Sequence, residues 1–381
     1  MKNQYVILTG SKNNAGDFLI KYRAKQLFKE FRSDREIVDF NAWEPFDSEM
    51  LKTVNESKAL ILTGGPSFQK NMRPNIYKMT DKLDDISVPI ITMGIGWKSF
   101  KGTWDDTYNY KLSKESIELI DRIDKSGYMS SVRDYHTLNA IKFKGFDNFF
   151  MTGCPAYYDL NHIGHDFPVP TVNRVAFSLG VSFLKSTSME RNIKDNILSC
   201  KELLNDKEFE VVFHHSLNKE NFLSSDVASL KHVAKHNEFA KWLDEHNIRY
   251  VDISGSAENL INYYSTVDLH LGYRVHAHIF MNSISKPSIL ISEDGRGAGT
   301  KDVIGGIVLT GFERFKDTLV EQILRFIPGN SDRYVTNKFL TQELINNIAY
   351  EQKTGFNRTK STRPQIDNNF SLMKEFIEQL P

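Results

Sequence analysis

The chain has 381 residues with 48 Lys+Arg against 48 Asp+Glu, and it is 40% hydrophobic and 25% charged. This composition is typical of a globular protein, and the length favours two domains. A formal net charge of zero supplies no field for a nucleic-acid backbone or an anionic membrane, so neither is expected as a main partner. Cys154 and Cys200 lie far apart, which argues against a disulfide framework or a thiolate zinc site.

The sequence predicts neither a signal peptide nor a membrane span. The apolar run Tyr5–Leu8 ends at Thr9, and no stretch of about 18 apolar residues occurs elsewhere. We therefore expect a cytoplasmic protein. A position at the inner face of the membrane, through peripheral association at most, is the alternative.

Short apolar runs alternate with longer stretches of helical periodicity along the first half of the chain. This alternation is typical of parallel strands joined by crossover helices. The clearest helix follows the first strand, with apolar residues at three- and four-residue spacing from Leu19 to Phe31. The predicted strands are Tyr5–Leu8, Glu36–Phe40, Ala59–Thr63, Pro89–Gly94, Tyr128–Val132 and Asn148–Met151.

A second, similar series follows the stretch Asp159–Asn173, which we interpret as an interdomain linker because glycine and prolines interrupt any period. Its predicted strands are Arg174–Leu179, Phe209–His214, Arg249–Ile253, Val267–Gly272 and Pro287–Ile291. Its predicted helices are Asp195–Leu204, Asp226–His246, Ala257–Tyr264, Arg274–Asn282 and Phe315–Phe326. The chain then continues with an apolar helical face from Leu340 to Ala349, a solvated basic loop and a final helix from Ser371.

The two series predict an α/β protein with two Rossmann-like domains that face each other across a cleft. We expect one domain over residues 1–165 and the other over residues 172–337. Residues 338–381 would form helices that pack back on the N-terminal domain. Open parallel sheets bind ligands outside the carboxyl ends of their strands, so the loops there are the first candidates for a site.

The loop after the first strand carries three candidate ligand-binding residues. Asn14, Gly16 and Asp17 stand where the chain enters its first helix. Free backbone amides at that point would receive an anion or a hydroxyl, and glycine permits a close approach. The alternative is an ordinary turn in which Asp17 caps the helix.

Two further junctions of the first half suit a ligand. Gly64 and Gly65 follow the third strand, where they would let a ligand lie on the backbone or would simply form a turn. Arg133 ends the fifth strand, and its guanidinium would hold a carboxylate or a phosphate. Pairing between Arg133 and Asp134 is the equally plausible alternative.

The segment from residue 265 to residue 278 is the most informative. A predicted strand runs into Gly272, and the next helix begins with Arg274, His276 and His278. Helix amides, the macrodipole and a guanidinium would together attract a small dianion. His276 would donate a proton, because a nearby anion favours the imidazolium. A structural role is the alternative, as is a metal site formed with His270, although His276 and His278 would diverge on a helix.

An ordered series of motifs resembles the polysaccharide pyruvyl transferase family. The motifs are Asn14-x-Gly16-Asp17, Gly64-Gly65, Ser131-Val132-Arg133-Asp134, Gly153-Cys154-Pro155-Ala156, and Asp268 followed by Arg274-Val275-His276-Ala277. The resemblance implies a fold similar to that of two-domain GT-B glycosyltransferases. It also implies transfer of the enolpyruvyl carbon skeleton of phosphoenolpyruvate to two hydroxyls of a sugar, which gives a cyclic ketal.

The resemblance implies roles for individual residues. Arg274 would bind the phosphate or carboxylate of phosphoenolpyruvate, and His276 would act as the acid. The chemistry also requires a base for the acceptor hydroxyls, and His214, His215 and Asp17 are the candidates, of which Asp17 is included in the predicted catalytic set. Residues 172–337 would form the donor side, with Arg274, Val275, His276, His278, Arg133, His214, His215, Arg296 and Lys301 at the donor. Residues 1–165 would form the acceptor side, with Asn14, Gly16, Asp17, Gly64 and Gly65 at the acceptor.

The chain departs from the family pattern in two places. Pro66 stands where a third glycine is frequent, and the run from Ser292 to Arg296 replaces a Tyr-Asp-x-Lys-like run, so that Arg296 or Lys301 would supply the missing cation. His214 and His215 end a strand, and one of them would be structural because adjacent strand residues point in opposite directions.

The expected partners follow from the resemblance. Phosphoenolpyruvate would be a co-substrate, and neither a cofactor nor a metal is expected. The acceptor would be a sugar, an oligosaccharide or a lipid-linked glycan on the route to a capsule or an exopolysaccharide. The alternatives are a GT-B glycosyltransferase that uses a nucleotide sugar and a carbohydrate-binding relative without turnover. The sequence leaves the oligomeric state open.

Overall fold

Two parallel β-sheets organise the chain in the computed structural model, which describes residues 2–9, 14–169, 171–184, 186–218, 220, 230–316, 318–324, 326, 327, 332 and 334–381. The first half contains β1 (Gln4–Thr9), β2 (Glu36–Asn41), β3 (Ala59–Thr63), β4 (Ile90–Met93), β5 (Ser130–Val132) and β6 (Phe149–Met151). Its helices are α1 (Ala15–Phe31), α2 (Ser48–Glu56), α3 (Trp104–Tyr108), α4 (Lys114–Asp124) and α5 (Tyr135–Lys142). The strand order is β2-β1-β3-β4, and an isolated bridge between Ile95 and Val132 joins the pair β5-β6 to this sheet.

The second half forms a six-stranded parallel sheet in the order β12-β11-β10-β7-β8-β9. Its strands are β7 (Arg174–Ser178), β8 (Glu208–Phe213), β9 (Arg249–Asp252), β10 (Leu269–Gly272), β11 (Ser288–Ser292) and β12 (Ile307–Thr310). The helices between them are α6 (Thr187–Leu203), α7 (Leu230–Glu245), α8 (Ala257–Ser265), α9 (Val275–Ser283) and α10 (Gly295–Ile304). The predicted α/β class with two Rossmann-like sheets is confirmed.

The remaining elements follow the second sheet. They are an antiparallel pair, β13 (Phe312–Phe315) and β14 (Tyr334–Thr336), and the helices α11 (Leu319–Leu324), α12 (Leu340–Thr354), α13 (Asn357–Lys360) and α14 (Thr362–Glu378). Helix α14 packs against α1 and β5 of the first half and against α9 and α10 of the second. The hydroxyl of Tyr5 donates a hydrogen bond to the carbonyl of Pro381 (2.7 Å). None of the described helices is long and apolar enough to cross a membrane.

The central strands are buried on both faces, as parallel strands covered by helices must be. All six residues of β1 are buried, which explains the continuous apolar run Tyr5–Leu8 at its centre. Helix α1 covers this sheet with a stripe that includes Leu19, Ala24 and Phe28. Burial of these apolar side chains fixes α1, and with it the loop at its N-terminus.

Several predicted boundaries were wrong. Helix α6 begins at Thr187 rather than Asp195, because the hydroxyl of Ser186 caps it by accepting a hydrogen bond from the Met189 amide (3.2 Å). The predicted helix Phe315–Phe326 is shorter in the structure. Phe315 is the last residue of a strand, and the helix spans only Leu319–Leu324. The predicted helix Asp226–His246 is observed from Leu230, and its first four residues lie outside the described part of the chain.

The predicted basic loop before the last helix is also wrong in part. The last helix begins at Thr362, nine residues before the predicted start at Ser371. Arg363 is buried in it, where its guanidinium donates to the carbonyl of Ser283 (3.1 Å) and pairs with Asp367 (2.9 Å). A carboxylate one turn away allows the arginine to enter the interior, which composition alone does not reveal.

The turn from β10 into α9 crosses the end of β7 at very short range. Gly272 has φ +120°, and a Cβ there would overlap the carbonyl oxygen of Ser178. The Ser178 hydroxyl accepts a hydrogen bond from the backbone amide of Arg274 (2.9 Å). Glycine is therefore required sterically, and the start of α9 is fixed to the strand beside it.

A chain of buried hydrogen bonds continues behind this turn. The Ser178 hydroxyl contacts Nε2 of His270 (2.8 Å), and the Ser288 hydroxyl contacts Nδ1 of both His270 and His278 (2.7 Å each). Burial lowers the pKa of His278 to about 3 and that of His270 well below its usual value. Both imidazoles are therefore neutral in the folded protein at neutral pH.

We expect replacement of Gly272 by alanine to destabilise the protein strongly. Gly272→Ala should lower the free energy of unfolding by about 3 kcal/mol, because the new methyl group requires a shift of the Ser178 backbone. Gly127→Ala is a matched control, since Gly127 also has a positive φ (+82°) but its Cβ would meet no atom within 4 Å. The control should cost about 1 kcal/mol. If urea denaturation showed the same loss of unfolding free energy in the two variants, the steric explanation would be contradicted.

We expect the stability to fall as the pH decreases from about 6.5 towards 4. The folded state holds His278 neutral while the unfolded chain binds a proton there, so each pH unit in this window removes at most about 1.4 kcal/mol per such histidine. His278→Asn should flatten this slope in urea denaturation measured from pH 4 to pH 7. The exposed His165 provides the control, and His165→Asn should leave the slope unchanged. An unaltered slope in His278→Asn would refute the assignment.

Candidate active site

A cavity of about 420 Å³ lies between the two halves, at the carboxyl ends of their strands. This is where open parallel sheets bind ligands. The first half lines it with Thr9, Asn14, Asp17, Ile20, Thr63, Gly64, Gly65, Pro66, Ser67, Gln69, Ile76, Lys98 and Phe100. The second half lines it with Val181, Ser182, Leu184, His215, His232, His236, Arg274, Glu293, Asp294, Arg296 and Tyr334.

The start of α1 forms one wall. The carboxamide oxygen of Asn14 accepts a hydrogen bond from the Gly16 amide (3.2 Å), so Asn14, rather than Asp17, caps this helix. The Asn14 side chain also donates to the Asp17 carboxylate (3.0 Å). Asn14 and Asp17 both line the cavity, and Asp17 occupies the first turn of α1.

The loop after β3 forms the neighbouring wall. Gly64 and Gly65 have φ values of +54° and +71°, which glycine adopts without strain. A Cβ on Gly64 would overlap Ile20 of α1, whereas a Cβ on Gly65 would lie 3.7 Å from the Asp17 carboxylate. The glycine pair therefore brings the backbone of this loop against α1 and beside Asp17.

Arg274 reaches the cavity from the start of α9. Its Nε is buried and has no hydrogen-bond partner among the described residues. Burial lowers the pKa of its guanidinium to about 10, although the negative charge of Glu293 acts to raise it. Arg274 therefore stays protonated at neutral pH and presents a cation to the cavity.

Glu293 balances part of this positive charge. Its carboxylate accepts hydrogen bonds from the amides of Val181 (2.9 and 3.0 Å) and Ser182 (2.7 Å) in the loop after β7. Sequence reasoning did not propose Glu293 as a site residue. An acidic residue directly after a buried strand was the available signal.

His276 lies against the first turn of α1. A Cβ on Gly16 would overlap the imidazole, so only glycine admits the ring at this place. The ring is 5% exposed, and its Nε2 has no hydrogen-bond partner among the described residues. Burial, with the charges of three nearby arginines, lowers the pKa of His276 to about 3. The imidazole is therefore neutral while no anion is bound.

Arg133 lies near His276, and neither side chain is among those that line the cavity. The Arg133 side chain is 3% exposed, and neither Nη1 nor Nη2 has a hydrogen-bond partner in the described part of the chain. Its Nε lies 3.5 Å from the Asp134 carboxylate, which is weak for a hydrogen bond, and the carboxylate itself caps α5 through the Thr137 amide (2.7 Å). The charge of Arg133 acts on His276 and helps to lower its pKa. The alternative pairing with Asp134 thus leaves most of the guanidinium unsatisfied.

Of the two cations proposed to replace the family's lysine, one lines the cavity. The Arg296 guanidinium forms a bidentate pair with Asp294, with Nε to oxygen distances of 2.9 and 3.0 Å. This pairing raises the pKa of Arg296 above its usual value. Lys301 lies in the last turn of α10 and is exposed.

The cavity is also lined by histidines near β8 and α7. His215 lines it, whereas His214 is buried and its Nε2 contacts the Tyr264 hydroxyl (2.7 Å). Sequence reasoning missed His232 and His236, which lie one turn apart on α7 and both line the cavity. Burial lowers the pKa of His236 to about 4, while Nδ1 of its ring lies 2.9 Å from the His232 carbonyl. A carbonyl only accepts, so Nδ1 carries the proton.

The remaining candidates lie in the interior. Val275 and His278 are buried within α9, and His278 contacts Ser288 rather than the cavity. The imidazole of His276 points to Gly16 instead, so the metal alternative does not bring His270, His276 and His278 together. Across the described ranges, no three histidine, cysteine or acidic side chains form a group that could hold a metal ion.

Solved structures similar to the chain include two UDP-GlcNAc 2-epimerases. The enzyme of Methanocaldococcus jannaschii, in complex with UDP-GlcNAc and UDP, is 12% identical in sequence to this chain, with a TM-score of 0.52. The matched region covers 97% of this chain and 99% of the epimerase chain. The enzyme of Neisseria meningitidis, bound to UDP-GlcNAc, is 11% identical, with coverages of 98% and 99% and a TM-score of 0.52. At this identity the likeness shows the fold alone, and it confirms the predicted GT-B-like architecture.

Sequence comparison identifies the family. No protein of curated function matches the chain. A family model described as polysaccharide pyruvyl transferase matches residues 14–295, which is more than half of the chain. This match confirms the resemblance found in the ordered motifs and includes Asn14, Arg133, Arg274 and His276. The chain therefore belongs to the polysaccharide pyruvyl transferase family.

Proposed function

We propose that the protein transfers a pyruvyl group from phosphoenolpyruvate to a sugar of a cell-surface polysaccharide or of its precursor. One observation carries the proposal. Arg133, Arg274 and His276 lie at two strand-to-helix junctions, and each has at least one buried nitrogen atom without a hydrogen-bond partner in the described chain. Unsatisfied buried donors and charges are costly, which supports a bound anion as their partner.

The chemistry of these groups fits a small, highly charged ligand. A guanidinium binds carboxylate and phosphate oxygens with two parallel hydrogen bonds, and phosphoenolpyruvate carries one of each group. Arg274 holds one anionic group, together with the free amides at the start of α9. The charge of Arg133, which acts on His276, adds to this attraction for an anion. The neighbouring Arg296 adds positive charge, although Asp294 already engages it.

Donor binding prepares His276 as an acid. Burial and the charges of three arginines lower the pKa of the imidazole and keep it neutral before an anion binds. The negative charge of phosphoenolpyruvate offsets the arginines and raises the pKa of His276, so the ring takes up a proton when the donor binds. A proton that arrives with the substrate is then available for transfer.

The reaction balances without another reactant. His276 protonates the methylene carbon of the enol phosphate, which creates an oxocarbenium-like centre at the adjacent carbon. A sugar hydroxyl attacks this carbon, the bond to the phosphate oxygen breaks, and a second hydroxyl closes the ketal. Of the two protons that the hydroxyls lose, one restores His276 and the other leaves with phosphate. Phosphoenolpyruvate is a co-substrate, and the proposal includes no resident cofactor.

The acceptor lies on the opposite wall. Asp17 lines the cavity at the first turn of α1 and acts as the base for a sugar hydroxyl. Asn14 and the glycine pair position the sugar, since the Asn14 carboxamide and the Gly65 backbone both lie beside Asp17. The proposed acid and base therefore lie close together, because the imidazole of His276 packs against Gly16, the residue before Asp17.

Incubation with phosphoenolpyruvate and a panel of glycans tests the proposed reaction. We expect phosphate release that depends on the acceptor, together with an acceptor whose mass has increased by one pyruvate ketal. Phosphate assay and mass spectrometry of the glycan measure the two products. Turnover of a nucleotide sugar without acceptor-dependent phosphate release would instead favour the glycosyltransferase alternative.

Substitution of Arg274 and His276 should separate binding from chemistry. His276→Ala should lower kcat by about 10²- to 10⁴-fold and change donor affinity little, because it removes a proton donor used in the transition state. Arg274→Ala should damage both kcat and donor affinity. The exposed Arg249 and His165 offer matched controls, and Arg249→Ala and His165→Ala should behave as wild type. Equal and mild effects of Arg274→Ala and His276→Ala would argue against these roles.

A further inference from the structure

A second cavity, of about 340 Å³, adjoins the first. Lys98 and Phe100 line both cavities, so the two share a wall. The other lining residues are Ser99, Lys101, Asp106, Asn109, Tyr110 and Lys111. A ligand larger than one sugar ring would therefore extend from the first cavity into the second across Phe100.

The floor of the second cavity is rigidly built. The ring of Tyr110 stacks on Phe68 with centroids 5.2 Å apart and planes inclined by 18°. The Tyr110 hydroxyl lies 2.9 Å from the Phe68 carbonyl and 3.0 Å from the Lys98 carbonyl. Ser99 accepts a hydrogen bond from the Gly102 amide (2.9 Å) and donates to the Asp106 carboxylate. These contacts fix the backbone that carries the lysines.

The same loop is joined to the donor side of the main cavity. The Gly295 amide, at the start of α10, donates to the Ser99 carbonyl (3.0 Å). A Cβ on Gly102 would lie only 2.7 Å from the Cα of Gly295. The second cavity is thus held next to the loop that contains Glu293 and Asp294.

The lining suits an acidic sugar. Three lysines and one aspartate surround the cavity, and the Ser99 hydroxyl already engages that aspartate. The Phe100 ring is 46% exposed, and an exposed aromatic face is a surface on which sugar rings pack. Asn109 adds a carboxamide at the rim. Lysines select negative charge, while the aromatic ring supplies contact that does not depend on charge.

We propose that the second cavity binds the continuation of the acceptor glycan and selects one with carboxylate groups beside the sugar that reacts. This inference rests on the proposed function, since it takes the acceptor to be a glycan in the main cavity. It adds a substrate class, an acidic oligosaccharide. Lys101 and Lys111 provide the selectivity, and Phe100 provides the surface on which the chain passes between the cavities.

Titration calorimetry of the full chain without phosphoenolpyruvate tests this inference. Trigalacturonate and α2,8-linked disialic acid serve as acidic probes, and galactotriose serves as the neutral one. We expect at least one acidic probe to bind more tightly than galactotriose. The double variant Lys101→Gln/Lys111→Gln should weaken that binding at least about fivefold and reduce its salt dependence.

Lys114 provides the matched control. It is exposed, lies three residues beyond Lys111 and contacts Glu118 (3.9 Å) rather than the cavity. Lys114→Gln should bind the acidic probe as wild type does. Equal affinity for acidic and neutral probes, or an unaffected double variant, would overturn the inference. These results are independent of pyruvyl transfer, because phosphate release is measured separately and with neutral acceptors as well.

Discussion

The crossing of β7 and the β10–α9 turn is the constraint on which the site depends. Only a glycine at position 272 can pass the Ser178 backbone, and the Ser178 hydroxyl then holds the Arg274 amide. Arg274 and His276 take their positions from this point. The hydrogen bonds that continue through His270 to Ser288 support Ser178 from behind, so the cleft rests on a buried polar chain rather than on a flexible loop.

The charges around the cavity are not distributed evenly. Asp294 neutralises Arg296, and two backbone amides hold Glu293. Arg133 and Arg274 retain nitrogen atoms without partners among the described residues. Arg296 is therefore engaged within the protein, whereas Arg133 and Arg274 have donors that a ligand could satisfy. The charges of both arginines act on His276, and its neutral ring avoids adding to their repulsion until an anion binds.

Much of the architecture could be predicted from sequence because it follows from burial. Continuous apolar runs such as β1 and the periodic stripe of α1 determine parallel strands and a covering helix. The first and last residues of helices depend on single contacts, such as the cap formed by Ser186 or the ion pair of Arg363. The apolar pattern does not show these contacts, so the helix boundaries that they determine were predicted wrongly. In the site, motifs next to strand ends located Asn14 and Arg274, whereas His236 comes from the middle of a helix and lines the cavity only through tertiary packing.

The contact between Gly102 and Gly295 has a mechanical consequence. The two backbones meet without side chains, and the amides of both glycines donate hydrogen bonds to Ser99. The loop after β4 and the start of α10 therefore lie closer together than two residues with side chains would allow. Any bulk added at either glycine would push these segments apart at this edge of the cavity.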